Sequence, residues 1–279
     1  MDEGEEEPVG TRARAAAVLA AALALGPAVA AACVAPAGFA PAGGGFSQYV
    51  RVMDWIVRDG VELIPDGVPF ERAAFVEPVN TCVKAVDQID PKPQDVVCVL
   101  GQGPIGLIFT MLLNRIGCRV LVTDTFQSRR DLASKFGALG GYHPVTEGAK
   151  LEEMVANLTD GRGADMVIVA ASAPGIVDQA IRCTRPGATI LLFAQTSDTE
   201  RIEVSGASIC KDERTLTGAY SASVDLQAES ARLVFSGDLP VEELISHRVS
   251  LDEIRKGIDL ALHPGEESLK IVVQPQRWS

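Results

Sequence analysis

Three glycines at fixed spacing follow an apolar run and open a helical pattern. They are Gly101, Gly103 and Gly106 in the segment VVCVLGQGPIGLIF, which begins at Val96. The first glycine allows a tight turn, the second leaves room for a ligand against the backbone, and the third lets the helix pack closely on the strand. Backbone N–H groups at the helix start, together with the helix dipole, favour a negatively charged phosphate there. The spacing therefore predicts a phosphate-binding turn.

An acidic residue, Asp124, ends the next apolar run, 18 residues after Gly106. A carboxylate at this position accepts hydrogen bonds from both ribose hydroxyls of NAD and repels the 2′-phosphate of NADP. Glycine turns also occur in purely structural loops. The order of strand, glycine turn, helix, strand and acid favours a dinucleotide site instead, with Pro104 suited to the first helical turn. We predict NAD contacts from the following residues: Gly101, Gly103, Pro104, Ile105, Gly106 and Asp124.

The elements that must position these residues alternate along the chain. We predict strands at 96–100, 120–123, 166–171, 189–193 and 215–220, and helices at 104–116, 128–136, 151–158 and 175–183. These strands are continuously apolar, which is typical of a parallel sheet covered by helices on both faces. The fold class is therefore α/β, with a doubly wound sheet. Before this sheet in the chain we predict a strand at 46–52 and a helix at 70–89 that Pro78 starts or kinks. After it we predict helices at 226–235 and 251–262 and a strand at 269–273.

Composition excludes some function classes. The 279 residues carry a net charge of −12, which disfavours nucleic-acid binding because that needs a basic surface. The six cysteines form no C-x-x-C pair, so neither a zinc knuckle nor a redox dithiol motif is predicted. Nothing in this cysteine usage requires an oxidising compartment, and we expect a cytoplasmic protein.

The first 42 residues differ in composition from the rest. An acidic tail, MDEGEEE, precedes an uncharged, alanine-rich stretch at 15–42 that follows Arg12 and Arg14. Such a stretch resembles a secretory signal or a marginal membrane anchor. The acidic start, the low hydrophobicity of alanine and three interrupting prolines favour a low-complexity lead with a disordered tail instead. We therefore expect no membrane association, with an anchor through 15–42 as the alternative.

An ordered series of motifs resembles the medium-chain dehydrogenase/reductase family, in its zinc-dependent alcohol, polyol and threonine dehydrogenase branch. In chain order the motifs are GGFSQYVRV, IPDGVPFERAAFVEP, the glycine turn, TDTFQSRRDLASKFGA, GADMVIVAASAPG, RPGATILLFAQ and LKIVVQP, and the resemblance covers about residues 44–276. The resemblance implies a Rossmann domain inserted late into a β-rich catalytic domain. It divides the chain into the lead at 1–42, the end of a first catalytic segment at 43–78, the coenzyme domain at 79–223 and a returning catalytic segment at 224–279.

The resemblance also implies a reaction and its cofactors. Such enzymes transfer hydride between an alcohol or polyol and nicotinamide, while a zinc ion polarises the alcohol oxygen. In the polyol-dehydrogenase type a zinc-site carboxylate stands in a Glu-Pro pair before the Rossmann domain, which matches Glu77-Pro78. Glu77 is thus the catalytic and metal-site candidate. Its alternative role is a carboxylate favoured by the dipole of a helix start.

The remaining expected coenzyme contacts also come from the resemblance. It places Arg129 near the adenosine end of NAD, although a helix-surface arginine is an equal alternative. It places four residues beside the nicotinamide ring: Ala171, Ser172, Phe193 and Ala194. The family pairs its last Rossmann strand with that of a second subunit, so we expect a homo-oligomer through residues 215–220.

The sequence departs from the family pattern before Gly43. The family's other zinc ligands are a cysteine and a His-Glu pair, but residues 1–42 contain one cysteine, Cys33, and no histidine. We expect that the N-terminal catalytic half is missing or replaced and that zinc binding is in doubt. Two hypotheses follow: a zinc-type, NAD-dependent alcohol or polyol dehydrogenase with impaired activity, or a non-catalytic NAD-binding remnant of one.

Overall fold

The computed structural model describes residues 45–50, 52, 54–194 and 201–275. The acidic tail and the alanine-rich stretch lie outside these ranges. The described residues divide into two compact units, one within 81–221 and the other formed by those up to Asn80 together with those from Ala222 onward. Among the described residues, no helix combines the length and apolar character that crossing a bilayer requires.

Ten α-helices and eight strands occupy the described ranges. The helices are α1 Asp54–Asp59, α2 Phe70–Ala73, α3 Val76–Ile89, α4 Pro104–Ile116, α5 Gln127–Lys135, α6 Gly148–Thr159, α7 Ile176–Cys183, α8 Gly206–Cys210, α9 Gln227–Phe235 and α10 Ile254–Leu262. The strands are β1 Val96–Leu100, β2 Arg119–Thr123, β3 Gly140–Tyr142, β4 Ala164–Val169, β5 Thr184–Leu192, β6 Thr215–Gly218, β7 Ile245–Ser250 and β8 Lys270–Gln274.

The unit Thr81–Ser221 is built on a six-stranded sheet. Its order is β3-β2-β1-β4-β5-β6, and every neighbouring pair is parallel. This is the doubly wound arrangement, whose strand order reverses beside β1, and it confirms the predicted fold class. Every residue of β1 is buried, because helices cover both faces of the sheet centre. The carboxyl ends of β1, β2, β4 and β5 consequently lie along one edge.

The opposite, amino-terminal edge of this sheet is fixed by Asp165 in β4. Its Oδ2 accepts a hydrogen bond from the N–H of Val96 at 2.9 Å, and its Oδ1 accepts one from Arg185 Nε at 2.7 Å. Burial alone would raise the pKa of Asp165, but the hydrogen bonds from Arg185 and Val96 lower it below its ordinary value. One carboxylate therefore ties the starts of β1, β4 and β5 together.

The other unit contains a two-stranded parallel sheet of β7 and β8 with short helices around it. The predicted strand at 46–52 is wrong: residues 46–50 and 52 lie outside any strand. A strand needs a partner for its backbone groups, and none of the strands in the described ranges pairs with this segment. The predicted helix at 70–89 is two helices, and Pro78 lies in the first turn of α3, where a proline is tolerated.

An ion pair links α2 to the two-stranded sheet. Arg248 Nε donates to both carboxylate oxygens of Glu71 at 2.9 Å, and its Nη2 donates to Oε2 at 2.7 Å. Gln274 Nε2 donates to Glu71 Oε1 at 2.7 Å. The hydrogen bonds from Arg248, more than any other contact, lower the pKa of Glu71 from its ordinary 4.5.

Replacing Arg248 by alanine is expected to destabilise the protein only when Glu71 is ionised. Because the folded-state pKa of Glu71 is lowered, the pair stabilises the fold above pH 4.5 and loses this effect as the pH falls through the folded value. Since both side chains are partly exposed, we expect a loss of about 0.2–1 kcal/mol at neutral pH. Thermal unfolding of Arg248→Ala and of a control, Arg255→Ala on the exposed face of α10, measures it. An equal effect of Arg248→Ala at both pH extremes would contradict this assignment.

Candidate functional site

The predicted glycine turn connects β1 to α4, and its first and third glycines are sterically required. Gly101 has a φ of +100°, and a Cβ there would lie 2.6 Å from the Cβ of Ala171 at the end of β4. A Cβ on Gly106 would lie 1.9 Å from the carbonyl oxygen of Gly101. Any side chain at Gly106 would therefore push α4 away from the turn, as expected for a helix packed closely on its strand.

The second glycine of the turn faces open space. A Cβ on Gly103 would meet nothing within 4 Å, and its φ of −66° is one that any residue adopts. The fold therefore does not need a glycine at this position. A ligand that must approach the backbone does need one, because the space in front of Gly103 adjoins the N–H groups at the start of α4.

Gln102, which was not among the residues predicted from the sequence, stabilises the turn through hydrogen bonds of its buried side chain. Its side chain is completely buried, and its Nε2 donates to the carbonyl oxygens of Gly101 at 3.0 Å and Val99 at 3.3 Å. Its Oε1 accepts a hydrogen bond from Thr110 Oγ1 at 2.9 Å. Gln102 thus fixes the turn to both β1 and α4. In the sequence, the position of Gln102 between two glycines was the only signal of this role, because the glycine pattern allows any residue type there.

Asp124 lies at the carboxyl end of β2 and is 8% exposed. Its Oδ2 accepts a hydrogen bond from the N–H of Gln102 at 2.7 Å, and its Oδ1 accepts one from the N–H of Phe126 at 2.9 Å. The carboxylate therefore holds the glycine turn and the loop after β2 together. A carboxylate offers about four acceptor sites, so each oxygen retains capacity for a further donor such as a hydroxyl.

Arg129 lies beside Asp124 and is largely buried. Its Nη1 is 3.8 Å from Asp124 Oδ2, and its side chain is 14% exposed. Its guanidinium lies over the ring of Phe126, 4.6 Å from the ring centroid, a cation–π arrangement. This geometry disfavours the alternative of a solvated helix-surface arginine. Arg130, its neighbour, is buried and donates to the carbonyl oxygens of Asp124 and Thr125, so it supports the loop that carries Asp124.

The four residues predicted beside a nicotinamide ring follow β4 and β5. The N–H groups of Phe193 and Ala194 both donate to the carbonyl oxygen of Val169 at 3.0 Å, which joins the two strand ends. The Phe193 ring meets the buried ring of Phe109 edge-on, with centroids 4.9 Å apart. Ala171 is half-buried against Gly101, whereas Ser172 is exposed. The glycine turn, Asp124 and the residues that follow β4 and β5 thus all lie at the carboxyl-terminal edge of the sheet.

Glu77, the zinc-site candidate, lies in the first turn of α3. Its electrostatic partner is Lys270 in β8, whose Nζ lies 6.0 Å from the ring centroid of Phe75. Burial lowers the pKa of Lys270, and the charge of Glu77 acts in the opposite direction. A cation beside this carboxylate opposes the binding of a second cation.

A catalytic zinc needs three protein ligands and one open position. Within the described ranges, no three His, Cys, Asp or Glu side chains come together as a metal site. These residues therefore do not fit a zinc ion, and the positive charge of Lys270 acts on Glu77, which also disfavours a cation there. His247 lies in β7, and its Nδ1 forms a hydrogen bond with Ser246 Oγ at 2.9 Å.

The chain is similar to known dehydrogenases. Residues 104–236 match the zinc-binding dehydrogenase family. This match and the relatives named next support the zinc-dependent medium-chain dehydrogenase family for this chain. The (R,R)-butanediol dehydrogenase of Neisseria gonorrhoeae is 29% identical over 239 residues, which are 85% of this chain and 65% of the relative. The sorbitol dehydrogenase of Bacillus subtilis is 27% identical over 238 residues, with the same shares.

Solved structures agree with this assignment. The 2R,3R-butanediol dehydrogenase of Bacillus subtilis has a TM-score of 0.71 at 26% identity and covers 86% of this chain and 66% of its own. A Sinorhizobium meliloti protein described as a zinc-binding dehydrogenase, bound to NADP, has a TM-score of 0.70 at 27% identity and covers 77% of this chain and 62% of its own. The chain thus spans just under two thirds of the length of these family members.

Proposed function

We propose that this chain binds NAD(H) along the carboxyl-terminal edge of its parallel sheet, in preference to NADP(H). The observation that carries the proposal is the open space at Gly103, between two glycines that the fold itself requires. The pyrophosphate of the coenzyme would lie there, against the N–H groups at the start of α4. Asp124 would accept the ribose hydroxyls and repel a 2′-phosphate, while Arg129 and Phe126 would flank the adenosine end.

The reaction class we propose is oxidation of an alcohol or a polyol. Bound NAD supplies the hydride acceptor for such chemistry. In this proposal Ala171, Ser172, Phe193 and Ala194 orient the nicotinamide ring and limit its access to water. The substrate class is supported by the butanediol and sorbitol dehydrogenases among the relatives. Glu77 is the residue that we assign to the alcohol end of the reaction.

A second candidate function is NAD binding without turnover. It is favoured by the electrostatic interaction of Glu77 with Lys270, whose positive charge opposes a metal ion at the candidate zinc carboxylate. A single carboxylate does not hold zinc against water, and an alcohol without a Lewis acid keeps its proton.

We expect this chain by itself to bind NAD and to oxidise alcohols far more slowly than about 1 per second. The measurement is NADH formation from a panel of alcohols, polyols and threonine, with and without added zinc, beside NAD binding on the same sample. Zinc-dependent turnover at ordinary dehydrogenase rates would refute the second candidate. Glu77→Gln serves as the matched variant: it should abolish any such turnover and leave NAD binding unchanged.

We also propose that two copies associate through β6. This strand is one of the two edge strands of the six-stranded sheet, and among the strands of the described ranges it pairs with β5 alone, so one row of its backbone groups faces outward. Exposed apolar side chains lie near it in the chain: Ile209 is 41% exposed and Tyr220 57%. A closed two-fold pairing of edge strands would remove this edge.

Light scattering at micromolar concentration is expected to give a dimer or a larger closed oligomer. Thr215→Lys should shift the mass toward the monomer, because a charged residue on an edge strand opposes strand pairing. Lys256→Thr on α10 is the control and should leave the mass unchanged. A monodisperse monomer in the unmutated protein would exclude this assembly.

We further propose a cytoplasmic location. The cysteines of the described ranges are free thiols, and this usage is ordinary where thiols stay reduced.

A further inference from the structure

A buried series of hydrogen bonds connects the interior of α4 to the glycine turn. Thr110 of α4 is completely buried, and its Oγ1 donates to Gln102 Oε1 at 2.9 Å. The Gln102 side chain is completely buried too, and its Nε2 donates to the carbonyl oxygen of Gly101 at 3.0 Å. The backbone N–H of Gln102 donates to Asp124 Oδ2 at 2.7 Å. One residue thus links the helix interior, the turn and the acidic end of β2.

The side-chain amide of Gln102 has a single favourable orientation. Its Nε2 donates to two carbonyl oxygens, those of Gly101 and Val99, so its Oε1 must accept, and Thr110 is the donor. Without the Thr110 hydroxyl this buried oxygen would lose that donor, which is costly unless the amide moves. The amide is packed against the start of α4, since a Cβ on Gly106 would lie 3.3 Å from Nε2. A shift of the amide therefore displaces the turn.

We propose that Gln102 and Thr110 are positioning residues for the coenzyme, although neither side chain is accessible to a ligand. This inference rests on the proposed NAD site and adds two residues that control its affinity. The groups that face the pyrophosphate are the backbone of Gly103 and the N–H groups in the first turn of α4. Hydrogen bonds from such groups to a phosphate weaken steeply with poor distance and angle, so a small displacement of the turn lowers affinity.

Thr110→Val is the direct test, because it keeps the shape of the side chain and removes the hydroxyl. Calorimetry well below the thermal midpoint should show NADH binding weakened by about fivefold or more. ADP-ribose carries the pyrophosphate without nicotinamide, so its binding should weaken by the same factor. Thr110→Ser keeps the hydroxyl and should bind NADH nearly as the unmutated protein does. Thr110→Val added to Gln102→Met should weaken binding no further than Gln102→Met alone, because the amide partner is already gone.

Thr159→Val is the matched control. Thr159 is also a buried threonine of the same unit, and it ends α6, where the chain approaches the amino-terminal end of β4. Its Oγ1 donates to the carbonyl oxygen of Val155 at 2.7 Å and accepts from the N–H of Gly163 at 3.0 Å. Thr159→Val should lower the thermal midpoint and leave NADH affinity unchanged. A merely structural role for Thr110 would give this same result in Thr110→Val.

Two results would overturn the proposal and leave the NAD site intact. One is a folded Thr110→Val protein with unchanged NADH affinity, and the other is a loss of NADH affinity that ADP-ribose does not share. Absence of NADH binding to the unmutated protein would overturn both the site and its positioning residues. If Thr110→Val does not fold, Thr110→Ala and Thr110→Ser decide, because they differ from each other only in the hydroxyl. Weaker NADH binding in the alanine variant supports the proposal, and equal affinities overturn it.

Discussion

Replacing Gly103 by valine is expected to abolish NAD binding and to leave the fold intact. A Cβ at this position meets nothing within 4 Å, and the backbone conformation suits a β-branched residue, so the thermal midpoint should be nearly unchanged. The added methyl groups would fill the space that the coenzyme pyrophosphate needs. Calorimetric titration with NADH should therefore show at least a hundredfold loss of affinity.

A matched control for this substitution is Gly265→Val. Gly265 also has nothing within 4 Å of an added Cβ, but it lies after α10, outside the unit that carries the glycine turn. This variant should bind NADH as the unmutated protein does. A folded Gly103→Val protein with unchanged NADH affinity would disprove the phosphate-binding role of the turn.

Replacing Asp124 is expected to lower NADH affinity and to remove the discrimination against NADPH. Loss of a charged hydrogen-bond acceptor costs about 1–3 kcal/mol, a factor of roughly 5 to 150 in affinity. Asp124→Ala would also leave the N–H groups of Gln102 and Phe126 without their acceptor, so it should lower stability as well. Asp124→Asn removes the negative charge and keeps one acceptor oxygen, so one of these two N–H groups loses its acceptor. It disturbs the loop less than Asp124→Ala does, which makes it the cleaner test of repulsion.

Titrations with NADH and NADPH measure the change in coenzyme affinity, and thermal unfolding of each variant measures the change in stability. Asp124→Asn should bind NADPH more tightly than the unmutated protein does. Asp131→Ala is the control, because Asp131 lies on the exposed face of α5 and hydrogen bonds only within that helix, to Gln127. An unchanged ratio of the two affinities in Asp124→Asn would show that this carboxylate does not select the coenzyme.

The sheet could be predicted from sequence because its strands are apolar on both faces. β1 and α4 have the predicted bounds, 96–100 and 104–116. The apolar run of a wholly buried strand and the glycine turn after it mark where the strand ends and the helix begins. β3, with the sequence GGY, was missed because glycine has a low strand preference and the strand is held by its neighbour β2. β7 was missed because its sequence, ISHRVS, contains several polar residues and lies in a sheet of two strands.

The candidate site could be predicted only where the backbone itself imposes the residue type. Gly101 and Gly106 are fixed by contacts shorter than 3 Å that any Cβ would make, and that requirement is visible as spacing. The partners of Asp124 were not predictable, because Gln102 and Phe126 act through backbone N–H groups that every residue but proline has. The electrostatic interaction of Glu77 with Lys270 involves residues far apart in the chain, and no local pattern encodes it.

Direct titration of the full chain with NADH tests the central claim, which is that the edge of the sheet at Gly103 and Asp124 is an NAD site. Calorimetry should give one NADH per chain, bound more tightly than NADPH under the same conditions, and the bound coenzyme should raise the thermal midpoint. Absence of NADH binding to the folded protein, or equal or tighter binding of NADPH, would contradict the account.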